Sequence, residues 1–296
     1  MLDDFRHPDF ADVILEDQRL QTVGTGYEFT EGPAWHPGEG HLTFSDIAGN
    51  TMYRWRPGDA TPAVFRQTSN KANGNTYDAE GRLLTCEHAT SRVVRLEADG
   101  SMSVLASHHG DLELNSPNDI IVGRDGAIWF TDPLPGRKPF FGVPREQHLD
   151  FQGVWRLAPD GGSPEPILTD FELPNGLCFS PDERVLYVND TPKGHIRRFD
   201  VAADGTLSGG EVFALLEGEG EGMPDGLKTD VDGRVWCTGP GGVHVFSPDG
   251  VPLGVIRLPE KTANFTWGGP DRKTLFTTSS TSVYRLRVAV AGNHLF

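Results

Sequence analysis

The sequence predicts an all-β protein, a six-bladed β-propeller built from four-stranded antiparallel blades. Three observations predict this fold. A turn-and-strand pattern recurs along the chain at a period of about 40–60 residues, which is typical of propeller blades. The 296 residues include 36 glycines and 22 prolines, as expected for many short strands joined by tight turns. A side chain with an oxygen donor also stands at the same position of every repeat.

The most regular part of each repeat is a turn followed by a short apolar strand, which we name strand B. The B strands are predicted at 41–47, 82–88, 127–133, 185–191, 234–240 and 274–280. Alternating apolar and polar residues predict a strand C after each of them, at 52–58, 93–100, 154–161, 196–205, 243–250 and 283–288. A strand A precedes each strand B, at 32–37, 75–79, 119–123, 176–180, 226–230 and 265–269.

A fourth strand, D, follows five of the C strands, for example at 63–68, 103–107 and 254–259. The sixth strand C has no residues left for a strand D before Phe296. We therefore expect residues 19–27 to supply the outer strand of the last blade, because this closure leaves no free edge in the ring. Residues 1–296 would then form a single propeller domain, with 1–18 as an N-terminal arm and 19–296 as the propeller.

Composition limits the partners of this chain. The formal net charge of −16 at pH 7 disfavours nucleic acid and anionic lipid and suits a neutral polar substrate and cations. The three cysteines, Cys86, Cys178 and Cys237, lack metal-type spacing, so we expect free thiols in a reducing compartment. The sequence has neither a signal-peptide pattern nor an apolar run of about 20 residues. We therefore expect a cytoplasmic protein; composition leaves its oligomeric state open.

An oxygen donor lies just before each strand A. The six donors are Glu31, Asn73, Asn118, Asn175, Asp225 and Asn264. Each precedes the matched position of its strand B by 10 or 11 residues, so the donors are equivalent between blades. Because strand A is the innermost strand of a propeller blade, equivalent positions at its start should converge near the axis.

The alternative interpretation of these donors is hairpin turns, since Asn-Gly and Asp-Gly are common turn pairs. A separate set of Asp-Gly pairs already serves the turns, for example at 125–126 and 232–233. We therefore interpret the donors as a cation site. Carboxylate and amide oxygens are ligands for hard cations, and the absence of His and Cys argues against a typical zinc site. We expect one divalent cation, Ca²⁺, with Mg²⁺, Mn²⁺ or Zn²⁺ as alternatives.

The segments around these donors resemble the family of gluconolactonases, regucalcin (SMP-30) and luciferin-regenerating enzyme. The matching motifs are Glu31-Gly-Pro-Ala-Trp, Ser116-Pro-Asn-Asp, Leu173-Pro-Asn-Gly-Leu, Met223-Pro-Asp-Gly-Leu and Thr266-Trp-Gly-Gly. The match covers nearly the whole chain from residue 20 onward and looks more like the bacterial gluconolactonases than the animal protein. The resemblance implies a six-bladed propeller, a divalent metal and hydrolysis of sugar lactones such as glucono-1,5-lactone.

The resemblance also suggests site residues. It implies Glu31, Asn175 and Asp225 as protein ligands of the metal, with Asn118 as a fourth ligand or a contact to the substrate. This chain departs from the animal members at Ser116, where they carry an arginine. The contact of that arginine with the sugar must be absent here or supplied by another residue.

Lactone hydrolysis needs a polarised carbonyl, an activated water and a stabilised oxyanion. Asp225 is our candidate for the catalytic group that orients or deprotonates the water, and a hydroxide bound to the cation is the alternative. Strand direction places the ends of the B strands on the donor face. The residues that we expect to contact substrate are Asn73, Glu87, His88, Asn118, Asp119, Asp132, Arg137 and Asn264.

Two other functions remain open from the sequence. The same donors would serve another metal-dependent hydrolase on this scaffold, such as a phosphotriesterase-like enzyme, because a cation and a water can also attack phosphorus. A non-catalytic propeller that binds partners through its surface is the second alternative. That function would not require a donor in every blade.

An inserted loop distinguishes blade 3. The matched positions of strands B and C are 8 or 10 residues apart in the other blades and 26 apart here, from Ile128 to Val154. The additional residues, 133–150, include Arg137, Arg145 and an apolar Phe140-Phe141 pair. A long loop with its own apolar anchors is often functional. We expect it to fold over the channel mouth and to direct a basic side chain towards the negative charge of the reaction.

Overall fold

The predicted repeats form antiparallel sheets in sequence order. The computed structural model describes residues 3–17 and 19–293. In these residues the chain forms two compact units. Unit I spans 31–175, and unit II comprises the described residues up to Thr30 and from Gly176 onward. We take the two units separately below.

Unit I contains the first three blades, each with strands in the order A, B, C, D. Blade 1 consists of Thr30–His36, His41–Asp46, Thr51–Trp55 and Ala63–Gln67. Blade 2 consists of Ala72–Tyr77, Leu83–Glu87, Arg92–Leu96 and Met102–Ala106. Blade 3 consists of Ile120–Val122, Ile128–Asp132, Gln152–Leu157 and Glu165–Phe171. Two short strands that the sequence analysis missed, His108–His109 and Leu112–Glu113, pair with each other between blades 2 and 3.

Unit II contains the other three blades, except that Pro174 and Asn175, the first two residues of blade 4, fall in unit I. Blade 4 consists of Pro174–Phe179, Val185–Asp190, His195–Val201 and Leu207–Leu215. Blade 5 consists of Leu227–Thr229, Val235–Gly239, Gly242–Phe246 and Pro252–Arg257. Blade 6 consists of Thr262–Gly268, Thr274–Ser279, Ser282–Arg287 and, as its outer strand, Gln21–Thr25. The described residues thus contain six four-stranded blades, which confirms the predicted fold class of a six-bladed β-propeller.

Burial separates the inner strands from the outer ones. Every residue of the B strands His41–Asp46 and Ile128–Asp132 is buried, because both faces of these strands are covered. The D strand Ala63–Gln67 has no buried residue. Large apolar side chains fill the space between blades: Trp155 packs in unit I, and Trp236 packs in unit II with its ring centroid 4.9 Å from that of Trp267.

The predicted closure of the last blade is confirmed. Residues Gln21–Thr25 pair antiparallel with Ser282–Arg287, so that Gln21 faces Arg285. The N-terminal arm has structure that the sequence analysis missed. Its strand Asp3–Phe5 adds a fifth strand to blade 5, and the 3₁₀ helix Pro8–Asp12 follows it.

Glycines determine how closely neighbouring A strands approach each other. In unit I, a Cβ atom added to Gly32 or Gly74 would lie under 3.0 Å from the backbone of the next blade's donor residue. In unit II the same holds for Gly176 beside Asp225 and for Gly226 beside Asn264. Each of these glycines directly follows a donor residue, so its absent side chain allows adjacent donor positions to come together.

In the part of the chain that the structure describes, no helix has the length and the apolar character needed to cross a membrane.

The closing strand gives a direct test of the sixth blade. Val23 is buried at 6 % exposure, so Val23→Asp should lower the free energy of unfolding by about 3 kcal/mol because a carboxylate loses its hydration. Thr22→Asp, on the exposed face of the same strand, is the control and should have little effect. Urea denaturation measures both values, and equal losses would contradict the assigned packing of this strand.

The close approach of the A strands can be tested with one methyl group. Gly74 has a backbone conformation open to other residues, so Gly74→Ala introduces only a steric conflict, with the backbone of Asn118 and Asp119. We expect a loss of about 1–3 kcal/mol in the free energy of unfolding, as for overpacked sites. In Gly38→Ala the new Cβ meets nothing closer than 3.4 Å, and this control should unfold like the wild type.

Candidate functional site

Three donor amides of unit I lie side by side and form a chain of hydrogen bonds. Asn73 Nδ2 donates to Asn118 Oδ1, and Asn118 Nδ2 donates to Asn175 Oδ1. Asn73 and Asn118 are buried, at 5 % and 7 % exposure. The start of each A strand positions one member, and Gly74 N donates to the Asn118 carbonyl oxygen at 2.9 Å. The structure therefore brings together three residues that the sequence singled out from three successive blades.

Glu31 occupies the equivalent position of blade 1. Its carboxylate is buried at 4 % exposure, and Oε2 accepts a hydrogen bond from the Gly32 backbone N–H at 2.5 Å. Gly32 itself lies against the Asn73 carbonyl group. Glu31 is thus a buried carboxylate near the start of strand A of blade 1, next to the strand A of blade 2 that carries Asn73.

His88 is the fourth side chain at this amide chain. Its Nε2 lies 3.1 Å from Asn73 Nδ2, and its Nδ1 lies 3.0 Å from the Phe141 carbonyl oxygen. Burial lowers the pKa of His88 to about 4, in spite of the opposing effect of the Phe141 carbonyl. The imidazole is therefore neutral at pH 7, and both of its nitrogens have protein partners.

The donors of unit II are fixed by a different set of contacts. Asn189 Nδ2 donates to the Asp225 carbonyl oxygen at 2.6 Å, and Asn189 Oδ1 accepts from Gly176 N at 3.2 Å. Asn264 Oδ1 accepts a hydrogen bond from Phe265 N at 2.9 Å. Asn189 therefore holds the backbone of two neighbouring A strands in position. The sequence shows only that Asn189 lies near the end of a strand B, so this role could not be predicted.

Glu87, a predicted substrate contact, is part of a buried ion-pair network. Arg66 and Arg92 donate to its carboxylate at 2.5 and 2.9 Å, and the side chain is 1 % exposed. Burial alone would raise the pKa of Glu87, but the hydrogen bonds from Thr90, Arg66 and Arg92 lower it below the usual value. Its observed contacts hold blades 1 and 2 together, and a contact with substrate stays a prediction.

Two other predicted contacts, Asp119 and Asp132, are buried carboxylates at the starts and ends of blade 3 strands. Asp119 Oδ1 accepts from Ile120 N at 3.0 Å, and Asp132 Oδ2 accepts from Asn115 N at 2.8 Å. Burial raises the pKa of Asp132 to about 7, although hydrogen bonds from the backbone N–H groups of Asn115 and Ser116 oppose the shift. These hydrogen bonds connect both carboxylates to the backbone of blade 3, and a contact of either one with substrate stays a prediction.

The inserted loop of blade 3 is fastened to the blades by its arginines. Arg137 is buried at 6 % exposure and donates to the carbonyl oxygens of Asn115 and Leu114 at 2.8 and 2.6 Å. It also bonds the Glu113 carboxylate at 2.8 Å and the Glu146 carbonyl oxygen. The hypothesis that the loop directs these basic groups to the substrate gains no support from these contacts, because they use the guanidinium group to hold the loop.

Arg145 is the second fastening of this loop. Its Nη2 donates to the His88 carbonyl oxygen at 2.9 Å and to Ser91 Oγ. At the tip of the loop, Lys71 Nζ donates to the Phe140 carbonyl oxygen at 3.2 Å and to that of Ala48 at 3.0 Å. The loop therefore reaches from blade 3 across blade 2 to the edge of blade 1.

Ser116 lies beneath the loop. Its Oγ donates to the Pro133 carbonyl oxygen at 2.5 Å and accepts from Gly136 N at 3.0 Å. A Cβ atom on Gly136 would come within 2.5 Å of Ser116 Cβ and 2.6 Å of His88 Cγ. A larger residue at position 116 could not coexist with this path of the loop. The path of the loop is therefore a physical reason for a small residue, serine, at position 116 instead of an arginine.

The chemistry of the donors fits a hard cation. Among the described residues, no three His, Cys, Asp or Glu side chains come together as a metal-binding group, so a site here must depend on amide oxygens as well as carboxylates. The buried Asn73 and Asn118 and the half-buried Asn175 form a row of amides in unit I, with Glu31 one strand away. Amide and carboxylate oxygens are the ligands that Ca²⁺ and Mg²⁺ take from proteins.

Comparisons with known proteins identify the family of this chain. Residues 29–281 match the family model described as SMP-30/Gluconolactonase/LRE-like region. The gluconolactonase of Zymomonas mobilis is 28 % identical over 95 % of this chain and 85 % of its own length. The pentonolactonase XacC of Haloferax volcanii is 29 % identical, over 88 % of this chain and 84 % of its own length.

Solved structures give the same result. The structure of a gluconolactonase from Xanthomonas campestris is 38 % identical and superimposes with a TM-score of 0.90, covering 97 % of this chain and 95 % of that one. A calcium-binding regucalcin from Agrobacterium tumefaciens, 22 % identical over 92 % of this chain and 94 % of its own, shares the fold with a TM-score of 0.77. The strand pattern, the donor motifs and these similarities together show that the chain belongs to the SMP-30/gluconolactonase/LRE-like family.

Proposed function

We propose that this protein hydrolyses sugar lactones, such as glucono-1,5-lactone, to the open-chain sugar acids, with the help of one divalent cation. Two relatives of this chain, from Zymomonas mobilis and Haloferax volcanii, are a gluconolactonase and a pentonolactonase. The observation that carries the proposal is the row of hydrogen-bonded amides at the starts of the A strands, formed by the buried Asn73 and Asn118 and the half-buried Asn175. A row of this kind supplies neutral oxygen ligands for a cation and polar contacts for sugar hydroxyls.

The proposed ligands are Glu31, Asn118, Asn175 and Asp225, which the family resemblance selects from the six donors at equivalent positions of the repeats. Ca²⁺ is the proposed cation, in keeping with the oxygen-only donor set and with the calcium-binding regucalcin that shares this fold. When bound, the cation would polarise the lactone carbonyl group and stabilise the charge that develops on its oxygen. The two carboxylates offset the charge of the ion.

The chain's own residues would then carry out the remaining steps. Asp225 orients the attacking water and accepts its proton as the water oxygen bonds to the lactone carbonyl carbon. The bond between that carbon and the ring oxygen breaks, and the ring oxygen takes up a proton to become a hydroxyl group. Asn73 and Asn264 are placed by sequence beside the ligands and would hydrogen-bond the sugar hydroxyls.

The charge of the protein favours this reaction. The substrate lactone is neutral and the product is a carboxylate. A protein with a net charge of −16 does not hinder the approach of the neutral lactone, and its field repels the anionic product. Product release is therefore assisted by the same acidity that disfavours nucleic acids as partners.

A panel of aldonolactones tests the reaction. After chelation, the purified protein should lose lactone hydrolysis, measured as acid release with a pH indicator, and addition of Ca²⁺ should restore it. A phosphotriester assayed in parallel addresses the other hydrolase chemistry. Hydrolysis of the phosphotriester alone, or lactone hydrolysis that survives chelation, would contradict the proposal.

The ligand assignment has its own test. Glu31→Ala and Asp225→Ala should each lower kcat by at least about 100-fold, because charge stabilisation in the transition state is lost, and should weaken Ca²⁺ binding. Asp249→Ala, an exposed carboxylate in a turn of blade 5, is the control. Titration calorimetry measures the affinity. A variant at position 31 or 225 with normal turnover and one bound ion per chain would exclude that residue as a ligand.

A further inference from the structure

The inserted loop of blade 3 contacts His88, and His88 in turn contacts the row of donor amides. We propose that His88 is a positioning residue: the Phe141 carbonyl group holds its imidazole as the Nδ1–H tautomer, and its Nε2 lone pair sets the direction of the Asn73–Asn118–Asn175 chain. This inference rests on the proposed cation site. It gives the loop a role that needs no contact with substrate.

The tautomer follows from the two partners of the ring. A carbonyl oxygen can only accept a hydrogen bond, so the 3.0 Å contact with Phe141 requires the proton on Nδ1. A neutral imidazole then has a lone pair on Nε2. The amide group of Asn73, 3.1 Å away, must therefore present its NH₂ group to the ring.

The direction of the chain follows from the tautomer. Asn73 Nδ2 has two hydrogens, and its two acceptors are His88 Nε2 and Asn118 Oδ1. Asn118 consequently turns its oxygen towards Asn73 and its NH₂ group towards Asn175. An imidazole with the proton on Nε2 would attract the oxygen of Asn73 instead and favour the reverse order. Because an amide binds a cation only through oxygen, the direction of the chain decides how Asn118 and Asn175 serve as ligands.

The loop is held in place independently of the imidazole ring. Arg137 fastens one side to the carbonyl groups of Leu114 and Asn115, and Arg145 fastens the other side to Ser91. Gly136 lies directly against the His88 ring, with no space for a Cβ atom. The position of the Phe141 carbonyl oxygen is thus set by the loop, and the ring adapts to it.

A structural histidine elsewhere in the chain provides a matched control. His244 is as buried as His88, each at 1 % exposure. Its Nε2 also lies close to a carbonyl oxygen, that of Pro240 at 2.9 Å, and burial lowers its pKa to about 4 as well. His244 belongs to strand C of blade 5, and within residues 3–17 and 19–293 its hydrogen-bond partner is the Pro240 carbonyl group rather than a donor amide. Its replacement therefore measures the cost of losing a buried imidazole alone.

Cation affinity separates positioning from a structural role. In calorimetric titrations of the chelated protein with Ca²⁺, His88→Phe should weaken binding by about 10–100-fold, as for other residues that orient metal ligands. His88→Gln, whose amide oxygen can replace Nε2 as acceptor, should recover part of the affinity. His244→Phe should leave the affinity unchanged, although both Phe variants lower the Tm of the cation-free protein.

The tautomer of the His88 imidazole tests the role of the loop. The ¹⁵N chemical shifts of His88 should show the proton on Nδ1 in the wild type, and a mixture of tautomers after residues 138–142 are replaced by a Gly-Ser pair. The shortened loop should also weaken Ca²⁺ binding without any change at position 88. A proton on Nε2 in the wild type would overturn the proposal, as would an unchanged affinity in His88→Phe.

The outcomes distinguish this inference from the proposed function. If the wild type binds Ca²⁺ and hydrolyses lactones while His88→Phe binds the ion equally well, only the positioning role is wrong. If the wild type binds no divalent cation, the metal-dependent function and the positioning role are both wrong.

Discussion

The glycine that follows a donor residue is the constraint on which the site depends. Gly32, Gly74, Gly176 and Gly226 each stand immediately after a donor, and each lies so close to the next donor residue in its unit that a Cβ atom has no space. The donors can approach one another only because these positions lack side chains. In unit I this approach allows the donor amides to bond directly. The residue pair that resembles a turn signal in the sequence is therefore a packing requirement.

The polar groups near the donors illustrate how a buried charge is stabilised in this fold. Glu87 is held by two arginines, and Arg137 is surrounded by carbonyl groups and one carboxylate. Desolvation of such groups is offset only when each has several partners. These residues connect adjacent blades and the inserted loop. The same contacts restrict their freedom to bind a ligand, whereas the amides carry no charge and are less costly to bury.

Much of the fold could be predicted from the sequence because a repeat reveals equivalent positions without any knowledge of contacts. The B strands, the closing strand Gln21–Thr25 and the nearness of Asn73, Asn118 and Asn175 follow from that equivalence. Features outside the repeat could not be predicted. The strand Asp3–Phe5 is too short for a periodic pattern, and it forms because the edge of Pro252–Arg257 is available to it.

The partners of individual side chains also could not be predicted from the sequence. The sequence shows that the inserted loop contains basic residues. The orientation of Arg137, however, depends on the carbonyl groups of Leu114 and Asn115, and no sequence pattern indicates that these groups are its acceptors. The same holds for His88, whose identity was visible and whose tautomer depends on the backbone of a residue 53 positions away. Backbone acceptors are present at every residue, so only the folded structure shows which of them are used.

The pairing of Gln21–Thr25 with Ser282–Arg287 also affects the order of folding. Thr22 meets Tyr284 across more than 250 intervening residues, which makes this one of the most non-local pairings of the chain. During synthesis, the strand Gln21–Thr25 must wait until Ser282–Arg287 has emerged before it can pair. Non-local pairings of this kind slow folding, because the entropy of closing the intervening chain is lost before the contact is gained. Blade 6 should accordingly be the last blade to form and the first place where an incomplete chain exposes an unpaired strand to aggregation.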